Sequence, residues 1–202
     1  SNKRLSVLPG LPPAKLEAVI TQASDDNEEY VADETTDFGS SDLEMVTENG
    51  GQQIIGFRFS SVKLPKNAVI QSAYIQFAAD ETHSNSVSLN FWGLAHDSLP
   101  TFANESKSVS KFDTTTARVD WLNLQAWTAG EITDKQKSPE LKSIINQIIS
   151  RANWKSGNPI GFVIKGPNTN GRRVADSYED AIAGKGAVAK LVIEYYIPVT
   201  ET

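Results

Sequence analysis

The sequence predicts an all-β fold: an antiparallel β-sandwich of jelly-roll type with one short amphipathic helix. Three observations carry that expectation. The apolar runs are short and rich in β-branched or aromatic residues, clusters of Gly, Asn, Asp and Ser separate them, and no βα alternation is present. The chain has 202 residues, of which 39% are hydrophobic, enough for one domain with a real core.

Residues 1–14 are expected to be a linker or irregular lead-in, because the stretch through Pro13 holds three of the nine prolines and little periodicity. The sandwich is expected to fill 15–202, in a chain that reads as cut from a longer protein. Strands are expected over 16–21, 42–47, 54–60, 68–79, 87–95, 117–122, 160–165, 172–176 and 188–197. In the fourth, Ala73, Ile75 and Phe77 share one face and Tyr74 and Gln76 the other; in the last, Leu191, Ile193, Tyr195 and Ile197 oppose Glu194. Leu141, Ile144, Ile145, Ile148 and Ile149 recur instead at three- and four-residue spacing, which predicts the helix. Ser138 is its expected cap, Pro139 suits its first turn, and Gly157 and Pro159 lie beyond its end.

The 19 Lys+Arg against 25 Asp+Glu give a formal charge of −6 and a pI near 5.0. With no basic block to neutralise phosphates, nucleic acid and anionic membranes are poor partners. No run approaches a spanning helix, and the N-terminus lacks the apolar core of a signal peptide, so a secreted form would have had its signal removed. The absence of cysteine excludes disulfides, thiolate metal sites and thiol catalysis.

Acidic side chains crowd into what read as loops. Ser24-Asp25-Asp26-Asn27-Glu28-Glu29-Tyr30 is the densest; Asp42 and Glu44 fall on one side of a strand by the period of two; Asp80-Glu81 ends the strongest strand. Hard oxygen donors from several segments suit Ca²⁺, so Glu28, Glu29, Asp42, Glu44, Asp80 and Glu81 are the candidate ligands. The plain alternative is solvated acidic surface.

Of four tryptophans, Trp121 and Trp154 read as structural. Trp92 alternates away from Leu89, Phe91 and Gly93, and is therefore the best candidate to stack on a sugar, with Tyr30 and Tyr178 behind it in polar stretches. Asn168-Thr169-Asn170-Gly171-Arg172-Arg173 groups donors in which either arginine can grip an anionic sugar; pairing with the acidic segments is the alternative. Enzyme signatures are weak. His83 and His96 sit in polar segments, no nucleophile triad is readable, and the glycine-rich 184–189 stretch precedes a strand where a dinucleotide loop must follow one.

Several stretches together resemble a jelly-roll accessory module of secreted, multidomain bacterial proteins, similar to calcium-containing carbohydrate-binding modules. They are Ser24 to Glu29, Ser40-Ser41-Asp42-Leu43-Glu44-Met45, Phe57-Arg58-Phe59, Ala73-Tyr74-Ile75-Gln76-Phe77 with Ala78-Ala79-Asp80-Glu81, Ser138-Pro139-Glu140-Leu141, Trp154-Lys155-Ser156-Gly157-Asn158, and Arg172 to Asp180. The likeness runs in order from about Ile20 to Tyr195. It departs at Trp92, where a smaller residue is expected, and at Asp180, where glycine is usual. The resemblance implies an accessory role and no catalytic residue. The expectation is a secreted, monomeric, non-catalytic module that holds Ca²⁺ and attaches the other domains of its parent chain to polysaccharide. The alternative is a structural or adhesive spacer of a cell-surface protein, rigidified by calcium.

Overall fold

A computed structural model describes residues 5–6, 11–167 and 171–200; the Asn168-Thr169-Asn170 stretch lies outside them. Two residues of the expected lead-in form a strand, β1 (Leu5–Ser6). The elements that follow are β2 (Ala14–Val19), β3 (Asp26–Tyr30), β4 (Thr36–Asp37), β5 (Asp42–Met45), β6 (Thr47–Glu48), β7 (Gly51–Phe59), β8 (Val69–Gln76), β9 (Leu89–Leu94) and β10 (Thr114–Trp121). After them come α1 (Lys142–Ile149), β11 (Ile160–Lys165), β12 (Arg173–Asp176), α2 (Tyr178–Ile182), β13 (Lys190–Tyr196) and β14 (Val199–Thr200), which pairs with β1.

The chain folds as an antiparallel, all-β sandwich. One layer runs β10-β9-β11-β7-β3-β4, with β6 hairpinned onto β7. The other contains β2-β13-β8 and the β12-β5 pair. Beyond the end of β8 the chain continues alongside β12: Ala79 bridges Ala175, the Asp176 N–H donates to the Ala78 carbonyl, and the Asp80 N–H donates to the Val174 carbonyl. Between the layers pack Ile55, Phe57, Phe59, Phe91, Phe162 and Ile164 from one side and Leu43, Met45, Ile75, Phe77, Leu191 and Ile193 from the other. Burying each such side chain stabilises the fold by about 1.5–3 kcal/mol.

Helix α1 buries Ile144, Ile145, Ile148 and Ile149, as the spacing predicts. It packs against β8, β9 and β10. Gly93 permits the close approach, because a Cβ there would lie 2.7 Å from both Ile144 and Ile148. The expected cap is corrected: the helix opens at Lys142 without a side-chain cap. Ser138 instead binds the edge of β8, accepting from the Ile75 N–H at 2.9 Å, and Glu140 accepts both from the Ala73 N–H of β8 at 2.7 Å and from the Lys142 N–H at 2.9 Å. Segment 136–141 thereby extends the small sheet by one lane.

The large sheet is also covered over part of its outer face. Leu99, Phe102 and Val109 pack on Ile54, Leu94 and Val163, which explains why β7 and β11 read as nearly continuous apolar runs. Among the described residues, no helix is long and apolar enough to cross a membrane.

Candidate functional site

The acidic stretch expected to be a loop is strand β3, and it is buried along Asp26–Glu29. Its alternation sends neighbouring carboxylates to opposite faces. Glu29 points out of the large sheet, where its Oε2 accepts from the Val109 and Ser110 N–H groups at 2.8 and 2.9 Å. Those two donors give it a structural role away from Asp80. Glu28 points inward and is only 1% exposed. Its Oε1 accepts from the Glu44 N–H at 2.7 Å, yet burial, followed by its hydrogen bond to the Glu44 carboxylate, holds it well above the usual carboxylate range. Just before β3, Asp25 pairs with Arg58 at 2.6 Å. Asp26 accepts from the Tyr178 N–H at 2.9 Å, but burial pushes it up to about 7.

A different arrangement forms where the β8 extension meets β5, β12 and α2. Asp42, the first residue of β5, is the register partner of Asp176 at the end of β12. Oxygens of Asp42, Asp80 and Glu81 all lie within 4.8 Å of one another, and so do those of Asp80, Asp176 and Asp180. Asp80 belongs to both groups. The Ser177 side chain caps α2 and so fixes Asp180 in the first turn. Asp176 accepts from the Ala187 N–H at 2.7 Å, and Gly186 lies so close that a side chain there would collide with the Asp176 carboxylate.

This centre carries excess negative charge. Its cationic neighbours are Arg172, which reaches Glu81 at 3.0 Å and Glu44 at 3.5 Å, and Lys185, 3.8 Å from Asp180. They face the carboxylates of Asp42, Glu44, Asp80, Glu81, Asp176 and Asp180. Burial, then the Asp42 charge, pushes Asp80 up to about 6. Burial also raises Asp42 and Asp176, with Glu81 and Asp180 adding repulsion. Glu81 is held low, first by the His83 hydrogen bond at 2.6 Å. Carboxylates that repel one another and offer only hard oxygen fit a divalent cation of the calcium type.

Of the six expected metal ligands, Asp42, Asp80 and Glu81 are therefore brought together. Glu44 borders the centre through Arg172, Glu28 stands behind Glu44, and Glu29 is on another face. Sequence reasoning missed Asp176 and Asp180; the Asp42–Asp176 strand pairing that assembles them joins residues far apart in the chain.

The expected sugar contacts are dispersed. Trp92 does leave the core, on the outer face of the large sheet, but it is half-buried: Arg118 and Lys165 stand 5.3 and 5.7 Å from its ring, and it packs against the Phe102 cluster. Tyr30 lies in β3, and its hydroxyl donates to Glu48 at 2.6 Å, which raises its pKa. Tyr178 opens α2 and packs on the core. Arg172 is clamped by Glu81, Glu44 and His83. Arg173 is 0% exposed and donates to the carbonyls of Leu124, Gln125 and Arg172 and to Asn85 Oδ1, so it braces the fold and faces no ligand.

No family model and no curated protein matches this chain. A solved structure titled Desmodium yellow mottle tymovirus is 13% identical over 100% of this chain and 99% of its own, with a TM-score of 0.23, a likeness too slight to carry any argument.

Proposed function

We propose that the chain is a non-catalytic polysaccharide-binding module whose Asp80 centre holds a structural Ca²⁺. The observation that carries this reading is the meeting of Asp42, Asp80, Glu81, Asp176 and Asp180 from separate elements, with too few cations to balance them. Bound there, the ion supplies charge balance and ties β5, β12, α2 and the β8 extension together. Trp92, with Asn90, Arg118 and Lys165 around it on one face, is the proposed sugar platform. Glu28 is 1% and Glu44 8% exposed, so this adjoining carboxylate pair gives a substrate little access, which favours binding over hydrolysis.

Polysaccharide arrays probed with Ca²⁺ and with chelator test the reading; retention of at least one glycan is expected. A chain that holds calcium but retains no glycan is the spacer alternative, which the half-covered ring of Trp92 favours. Release of reducing ends or unsaturated products by the purified protein would overturn the non-catalytic assignment.

A further inference from the structure

We infer that the outer face of the β2-β13-β8 sheet is a second glycan-contact surface, built around Tyr74 and suited to neutral hexoses; this rests on the polysaccharide-binding reading above. The alternation of β8 puts Ala73 and Ile75 in the core and Ser72, Tyr74 and Gln76 outside. Tyr74 is the register partner of Val192 in β13, and Val192 pairs in turn with Glu17 in β2. Although it faces outward, Val192 is buried, forming a floor beneath the row.

Two clefts open on either side of the tyrosine. One, of about 230 Å³, combines Phe77, Ile132, Val188 and Val192 with Gln76 and Lys190. The other, of about 360 Å³, is polar and is lined by Ser72, Lys137, Ser138, Glu140 and Glu194. Lys137, from the lane added by segment 136–141, sits 4.0 Å above the Tyr74 ring and divides them. An apolar floor beside an aromatic ring, with donors and acceptors at the rim, matches the amphipathic faces of a sugar ring.

The charges decide the class. Glu17 is matched by Lys190 at 3.2 Å and Lys15 at 3.0 Å. Glu194 accepts from Ser72 at 3.1 Å, and Glu140 accepts from two backbone N–H groups. Lys15, Lys137 and Lys190 thus match Glu17, Glu140 and Glu194 in number across this face, Lys15 and Lys190 being bound to Glu17 and Lys137 resting on the Tyr74 ring. With the charges matched, no surplus cation is left to hold a uronate or sulfate, whereas neutral hydroxyls meet both donors and acceptors.

The test uses an array of immobilised neutral and uronate polysaccharides, with Ca²⁺ present, probed by the parent chain and by Tyr74→Ala, Tyr74→Phe, Ile132→Asp and Trp92→Ala. Ile132 is 54% exposed, so its replacement alters the cleft with little effect on folding. The inference expects retention on neutral glycans, about tenfold weaker for Tyr74→Ala and for Ile132→Asp, kept by Tyr74→Phe, with melting temperatures near the parent's. Retention of the parent with no loss in either cleft variant, or retention on uronates only, overturns the inference and leaves the polysaccharide reading standing. A parent that binds no glycan overturns both.

Discussion

Along β3 and just before it, each buried carboxylate meets a donor: Arg58 for Asp25, the Tyr178 N–H for Asp26, the Glu44 N–H for Glu28, and two N–H groups for Glu29. Around Asp80, carboxylates face mainly one another. The residue types are the same, and what separates the two regions is that the donors near Asp80, the Ala187 N–H on Asp176 and Arg172 on Glu81, leave Asp80 itself among carboxylates. Where donors are fixed by the fold, an acid becomes part of the framework; where they are lacking, it retains capacity for a cation from outside.

The sharpest way to break this comparison is to remove one acid from each side. Asp25→Ala leaves Arg58 with only the Leu99 carbonyl among the described residues, and loss of one partner of a buried pair is expected to cost about 3–5 kcal/mol, read from the urea midpoint at unchanged slope. A loss below about 1 kcal/mol would show that the framework acids are not structural.

Asp80→Asn should do the reverse. Without calcium it relieves repulsion, so the variant is expected to melt at or above the chelated parent. Calcium at a hundred times its dissociation constant is expected to stabilise the parent by about 2.7 kcal/mol and Asp80→Asn far less. Equal calcium shifts in the two proteins would remove Asp80 from the centre.

Trp92→Ala is expected to weaken glycan binding by about 1 to 3 kcal/mol. Its contact with the Phe102 cluster means that the melt also falls, by less than the about 3–5 kcal/mol of a fully buried tryptophan. Unchanged affinity would move the platform off the large sheet.

The smallest effect is the pH slope. Asp26 at about 7 and Asp80 at about 6 are raised above their unfolded values near 4. The folded state therefore binds more protons in that interval, and the stability they contribute is full below about pH 4 and lost as pH rises towards 7. Chelated protein should melt higher at pH 5 than at pH 8, and calcium should reduce the difference by holding Asp80 ionised. A melt that rises with pH in chelator would contradict both assignments.

These contrasts also explain what the sequence could show. The strand at Ile160–Lys165 has the expected bounds, because a compact β-branched and aromatic run ends at Gly166-Pro167. Helix α1 is marked by its isoleucine spacing. β3 was illegible, since Asp-Asn-Glu-Glu-Tyr has no apolar alternation and its burial depends on donors supplied by Val109, Ser110 and Tyr178. For the candidate centre, Asp42, Asp80 and Glu81 could be singled out by local density. Asp176 could not, because only its pairing with Asp42 brings it there.

The pairing of β2 with β13 and of β5 with β12 also governs how the protein can be made. Both join early chain to late chain, giving the small layer a high contact order. During synthesis, β8 and β5 emerge long before the strands that cover them, and a chain stopped short of Arg173 presents both with open edges and apolar inner faces. Such fragments are templates for association with other chains. Truncation before β12 or β13 is thus expected to yield aggregates, because those strands close the sheet.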